Sequence, residues 1–271
     1  MQRTSDELDY ELIGDDLQAV IVTLDPGETV IAEAGSMMFM EQGIEMNTTL
    51  DPNKAGGGML GKLFQGAKRV LSGDTFFITT FLNNGRGRKR VAFSSPFPGK
   101  IKPIDLQQWG GTVIAQKDSF LCAPKGTNVD IAFTKRIGAG FFGGEGFILQ
   151  RLTGDGVAVL HASGAIWETT LLPSETLRVD TGCIVAMDSQ VTYDIQMVPG
   201  IKTALFGGEG LFFATLTGPG RVLLQTMPFS RLADRIIAAS PRAGGSRRQE
   251  GGVLGGVLGG ALLGGVLGGD E

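Results

Sequence analysis

Few residues of this chain could do chemistry, and their spacing limits what that chemistry could be. Glu145 and Glu209 occupy the same place in two matching strings, Phe142-Gly-Gly-Glu-Gly-Phe147 and Phe206-Gly-Gly-Glu-Gly-Leu211, and Asp74 in Leu71-Ser-Gly-Asp-Thr-Phe76 falls near that place. Carboxylates gathered round a common axis would hold a cation through oxygen. A carboxylate in a tight Gly turn more commonly accepts backbone N–H bonds, so the expectation is structural and no metal ligand set is assigned. Glu28 and Glu175, in Pro26-Gly-Glu-Thr29 and Pro173-Ser-Glu-Thr176, would have to converge on one pocket to act as acid and base. Equivalent residues of separate repeats need not converge, and no catalytic residue is assigned. His161, the single histidine, has no motif neighbour with which to build a triad or a metal cage. Cys122 and Cys183 show neither a disulfide framework nor zinc spacing and read as small buried hydrophobes. The Gly strings lack the Lys and Ser or Thr that complete a phosphate loop, so no cofactor is expected. Asn83-Asn-Gly-Arg-Gly-Arg-Lys-Arg90 reads as a basic hairpin tip. Its Arg86, Arg88, Lys89 and Arg90 could touch phosphate, of nucleic acid or of a lipid headgroup, although a solvated turn is the commoner role. A net charge of −4 disfavours nucleic acid as the partner.

These residues sit in a patterned chain. Pro26–Met40 aligns without a gap with Pro173–Met187, matching Pro26/Pro173, Glu28/Glu175, Thr29/Thr176, Gly35/Gly182 and Met40/Met187. Thr112–Leu121 fits between them but has lost the Pro and Glu. Each Gly-Glu-Gly string, with Leu152-Thr-Gly-Asp-Gly156 or Leu216-Thr-Gly-Pro-Gly220 after it, follows its own first block at the same distance. Two blocks at one offset mark an internal repeat. Runs such as Ala19–Leu24, Phe76–Leu82, Val157–Leu160, Leu211–Leu216 and Val222–Gln225 are rich in β-branched and apolar residues. Gly, Pro and Asp punctuate them about every 8–12 residues, the cadence of a sandwich or barrel. Thr153–Gly156 and Thr217–Gly220 read as hairpin turns, and Gly35 and Gly182 as turn or bulge positions that need positive φ. Phe229–Ala239 reads as a helix with Ser230 as cap, an apolar stripe of Leu232, Ile236 and Ile237, and Pro241 as stop. Met59–Leu71 has helical spacing inside an insertion of the first copy. The expected fold class is therefore all-β: three tandem β-sandwich repeats, about 10–106, 107–170 and 171–230, within a unit spanning 1–240. A short C-terminal helix closes that unit, and a basic linker and Gly/Val/Leu tail cover 241–271. Such an array can leave an exposed strand edge, and a closed symmetric oligomer would cover it.

Leu205-Phe-Gly-Gly-Glu-Gly-Leu-Phe-Phe213 with Leu216–Gln225, and Pro26-Gly-Glu-Thr29 with Glu33-Ala-Gly-Ser-Met37, resemble the family of the mitochondrial protein named for altered inheritance of mitochondria, member twenty-four, and its bacterial relatives. The resemblance covers about residues 10 to 230. It implies a fold similar to the subunit of the tryptophan-sensing RNA-binding attenuation protein, taken three times in one chain, and a homotrimeric ring in bacterial relatives. Its mitochondrial members imply an inner-membrane role in respiratory-chain and cristae integrity. Tryptophan and RNA binding do not transfer with a fold.

The tail, residues 251–269, alternates Gly pairs with Val, Leu and Ala and carries no charge. As a helix it would be about 28 Å long, near the thickness of a bilayer core. Its Gly content costs a soluble helix about 8–10 kcal/mol relative to Ala. Lipid or self-packing would have to supply that, and the Arg-rich stretch before it suits an anionic surface. The N-terminus has neither an apolar signal core nor an Arg-rich transit pattern, so the expected location is cytoplasmic, peripheral to the membrane if the tail binds lipid. The leading expectation is a non-catalytic, homo-oligomeric scaffold or interaction module whose partner is itself, as a homotrimer. The alternative is a small-molecule or ion-binding module that uses grooves between repeats.

Overall fold

The computed structural model describes residues 4–49, 78–135, 147–197 and 212–239. Most of them lie in antiparallel β-strands that fall into three sets in chain order. The first set is β2 (Ala19–Leu24), β3 (Thr29–Glu33), β4 (Met37–Met40), β5 (Ile44–Thr49), β6 (Ile78–Asn83) and β7 (Lys89–Ser94), with β1 (Asp9–Ile13) laid against β2. The second is β8 (Gly99–Asp105), β9 (Thr112–Gln116), β10 (Phe120–Pro124), β11 (Asn128–Lys135), β12 (Phe147–Thr153) and β13 (Val157–Ser163). The third is β14 (Ile166–Leu171), β15 (Thr176–Asp180), β16 (Ile184–Asp188), β17 (Thr192–Met197), β18 (Phe212–Thr217) and β19 (Gly220–Gln225). The helix α1 (Phe229–Ala239) follows.

Pairing within each set obeys one scheme. The first, sixth and third strands of a set form one ladder: β2-β7-β4, β8-β13-β10 and β14-β19-β16. The fourth, fifth and second form the other: β5-β6-β3, β11-β12-β9 and β17-β18-β15. The second strand of one set then pairs with the third strand of the next, β3 with β10 and β9 with β16. These joints fuse half-sheets into two six-stranded sheets, flanked by a four-stranded sheet ending in β4 and a three-stranded sheet ending in β15.

Burial follows from this layering. A strand with one face on a core alternates, as β2 does in Ala-Val-Ile-Val-Thr-Leu. A strand inside a fused sheet has a core on each side and reads as a continuous apolar run; β10, Phe-Leu-Cys-Ala-Pro, is buried throughout. One cluster joins Val20, Val22, Val30, Phe81 and Phe93 to Leu121 and Cys122 from across the first joint, and Phe81 meets Phe93 edge to face at 5.1 Å.

The turns depart from the hairpin expectation. Thr153–Gly156 and Thr217–Gly220 do not join paired strands: β12 lies beside β11 and β9, β13 beside β10 and β8, and β18 and β19 likewise belong to different sheets. They are corners where the chain crosses from one sheet to the other. Gly suits them through close approach, since a Cβ on Gly218 would sit 2.4 Å from the Leu172 carbonyl oxygen. The basic tip between β6 and β7 is a corner of the same kind. Gly35 has the expected positive φ of 89°. Gly182 does not share it. It lies in a short 3-10 turn, its own N–H donates to Asp180 Oδ1 at 2.9 Å, and a Cβ on it would sit 3.1 Å from Pro228 Cβ. The helix keeps its expected bounds but begins at Phe229, so Ser230 lies inside it, and the Pro228 carbonyl accepts from the N–H of Arg231 and Leu232. The Met59–Leu71 segment and the 251–269 tail lie outside the described residues. Contacts divide the chain into two units, Met1–Arg235 and Ile236–Glu271.

Candidate functional site

The sequence candidates are mostly occupied or lie out of view. Glu145, Glu209 and Asp74 are outside the described residues. Glu28 and Glu175 accept the backbone N–H of Asp25 and Leu172, both at 2.7 Å. Each thereby staples its own Pro turn, which also carries the bonds Glu28 N–H to the Asp25 carbonyl and Glu175 N–H to the Leu172 carbonyl. Cys122 is buried and its thiol is pushed far up by desolvation, away from nucleophilic use. His161 is buried, with Nδ1 at 3.1 Å from Ser95 Oγ and, among the described residues, Nε2 without a partner. Burial lowers its pKa to about 4. In the basic corner, Arg88 pairs with Asp9 and Asp25, and Arg90 with Glu41. Asn83 is buried beneath the corner and fixes it: Nδ2 donates to the Leu24 and Gly87 carbonyls at 2.8 and 2.9 Å, and Oδ1 accepts from Gly85 N–H at 3.0 Å. Among the described residues no three His, Cys, Asp or Glu side chains gather as a metal site.

What the structure presents instead is a pair of strand edges. Every third strand of a set pairs with the second strand of the preceding set, except β4, which has no preceding set. Every second strand pairs onward, except β15, which has no following set. Among the described residues, β4 and β15 are therefore the two edges at which this scheme stops. Other edges recur from set to set: β5, β11 and β17 end their ladders alike, as do β8 and β14, with β1 across β2 in the first set.

The two completed joints share one register. In the first, Cys122 faces Ala32, Ala123 faces Ile31 and Pro124 faces Val30. In the second, Ala186 faces Ala115, Met187 faces Ile114 and Asp188 faces Val113. The sequence alignment places Ala32, Ala115 and Val179 together, and Cys122, Ala186 and Phe39 together. Exposure follows pairing. Met38 and Met40 on β4 are 47% and 39% exposed, whereas Leu121, Ala123, Val185 and Met187, in the same places on β10 and β16, are at 0%. On β15 Leu177 is only half-buried, while Val30 and Val113 are fully buried. A groove of about 360 Å³ beside β4 is lined by Ile13, Leu17, Met38 and Phe97, among others. No single residue marks these edges in the sequence; the signal lay in the comparison of aligned segments, where apolar positions recur on strands whose partners differ.

Comparison with known proteins places this architecture. The model of the family described as mitochondrial biogenesis AIM24 matches residues 10–227. The chain belongs to that family. An uncharacterised protein from Streptococcus pyogenes serotype M6 is 29% identical over 216 residues, covering 79% of this chain and 83% of the relative. A crystal structure of a Streptococcus pyogenes protein superimposes with a TM-score of 0.67 at 21% identity, covering 86% of this chain and 99% of that one. That likeness carries the fold.

Proposed function

We propose that this AIM24-family chain is a non-catalytic scaffold that assembles with itself head to tail, β4 of one copy adding to β15 of the next. The three strand sets are read as three copies of one unit, so that the rule joining copies inside the chain also joins chains. The carrying observation is the pair of edges left where two internal joints of identical register would continue. Carried outward, that register sets Phe39 against Val179, Met40 against Arg178 and Glu41 against Leu177 of the neighbour. Met38 and Met40 would then be buried as their counterparts are. Two different edges on one chain make a heterologous contact, which closes into a ring when the rotation allows, and the family resemblance favours a ring of three. Unpaired edges are otherwise a hazard for uncontrolled aggregation.

The test is the mass of the full chain by light scattering, alone and with M38K/M40K. Both positions are exposed in the single chain, so charge there leaves the fold intact and blocks only the addition. A multimer reduced to monomer by the double variant supports the reading; a wild-type chain that is monomeric at every concentration refutes it.

A membrane role belongs to the same proposal through residues 246–271. Among the described residues no helix is long and apolar enough to cross a bilayer, so attachment would rest on that tail, and deleting it should abolish pelleting with anionic vesicles. The groove beside β4 supports a second reading as a small apolar ligand site. Thermal shifts of the wild-type chain against a ligand panel that are lost in L17K, which alters the groove away from β4, would favour it.

A further inference from the structure

The completed joint between the second and third sets contains a device that the open end of the chain repeats. Arg221 sits opposite Asp188 on the β16/β19 ladder, and Arg90 sits opposite Glu41 on β4/β7, one step beyond the equivalent pairs Met187–Val222 and Met40–Val91. Both arginines are held alike. The Arg221 backbone N–H and Nε donate to Asp188 Oδ2 at 2.7 and 3.1 Å. The Arg90 backbone N–H donates to Glu41 Oε2 at 3.0 Å and its Nε to Oε1 at 2.9 Å.

They differ in what lies beyond. Arg221 crosses the joint: Nη2 donates to the Gln108 carbonyl at 2.9 Å, and Cζ lies 3.9 Å over the Trp109 ring. Charge-assisted donation and cation–π stacking act together there, next to the strand pair that sets the register. Among the described residues no strand lies beyond β4 for Arg90 to reach, and its side chain is 57% exposed against 30% for Arg221. In the third set, the residues in the places of Gln108 and Trp109 are Leu172 and Pro173, at the same distance before Thr176 as Gln108 and Trp109 are before Thr112. Leu172 is 67% exposed, and among the described residues its carbonyl accepts one bond, from Glu175 N–H at 3.0 Å. A carbonyl has two lone pairs, so a second donor can be received. The first internal joint carries Pro124 and Val157 at these places, so the acid–arginine pair is found at the second joint and at the open end.

Resting on the head-to-tail reading, we infer that Arg90 is the latch between copies. Glu41 orients its guanidinium, which donates to the Leu172 carbonyl of the second copy and covers that copy's Pro173.

The experiment is sedimentation velocity over a dilution series on the full wild-type chain, R90A, R90Q, R90K and R88A. Arg88 shares the corner but pairs with Asp9 and Asp25 of its own chain. R90A and R90Q should raise the dissociation concentration about 10-fold, the effect of one charge-assisted hydrogen bond. R90K should recover only part of the loss, because an ammonium lacks the planar fork, and R88A should match wild type. Far-UV circular dichroism spectra of the variants must coincide, so that loss of assembly is not loss of fold, since melting temperatures shift with assembly itself. Wild-type affinity in R90A and R90Q while the wild type is multimeric overturns the latch and leaves the edge pairing standing. A wild type that is always monomeric overturns both.

Discussion

Acid should weaken this fold through His161. The imidazole is 1% exposed, and among the described residues its Nε2 is buried without a hydrogen-bond partner. Its Nδ1 meets the Ser95 hydroxyl, and the Phe97 ring lies 4.9 Å away between centroids. A charged imidazolium there would lose its hydration, so burial depresses the pKa from 6.5 to about 4. The unfolded chain then binds a proton that the folded chain refuses. The contribution is fully present above pH 6.5 and is lost as pH falls through that value towards 4. The gap of about 2.5 pH units, at about 1.4 kcal/mol each, amounts to about 3 kcal/mol once complete, and about 2 kcal/mol of it falls between pH 7 and 5. The assay is urea unfolding at a series of pH values for wild type and H161Q. Gln suits the site because Gln225 fills the same place on β19, accepting from Ser163 N–H at 2.8 Å and donating to the Gly182 carbonyl at 2.7 Å. Carboxylates titrate in both proteins, so the difference between them isolates the histidine. If that difference is flat from pH 7 to 4.5, burial of a neutral imidazole is not the cause and the reasoning fails.

Three further outcomes follow from local geometry. Ser174 holds φ of 67° where the matching Gly27 holds 91°, so S174G should raise stability by about 1 kcal/mol in denaturant unfolding by removing Cβ strain. In Gly99 a Cβ would lie 1.8 Å from the backbone oxygen of Ala162; G99A should cost about 2 kcal/mol or more by the same measurement, because backbone cannot yield as a side chain can. The Asp155 carboxylate receives the Ser5 hydroxyl and the N–H groups of Thr4 and Ser5, and these bonds hold it well below the usual carboxylate range. D155A should therefore free the N-terminal segment, seen as faster hydrogen exchange at residues 4–8 with little change in the rest of the sheets.

The sequence by itself determined that the fold is mostly β, with Ala19–Leu24 and Val222–Gln225 in strands, and that Phe229–Ala239 is a helix. Those are local properties: β-branched and apolar runs, turn residues and one helical stripe suffice. It also aligned Thr29, Thr112 and Thr176, which begin β3, β9 and β15. It could not tell that Thr153–Gly156 turns between sheets rather than within one, because a Gly turn looks the same whichever strand receives the chain. Nor could it place β8, whose long-range pairing with β13 groups Gly99–Asp105 with the second strand set. The meaning of Met38 and Met40 was likewise a tertiary decision. Leu121 and Val185 are as apolar and are wholly covered; what differs is whether a strand lies across the edge, and only long-range pairing decides that. Arg90 read as one of four cations on a tip, and its likeness to Arg221 emerged only when the ladders set both opposite an acid at the end of the same strand. Composition and spacing act along the chain, whereas an edge is defined by the strand that is missing beside it.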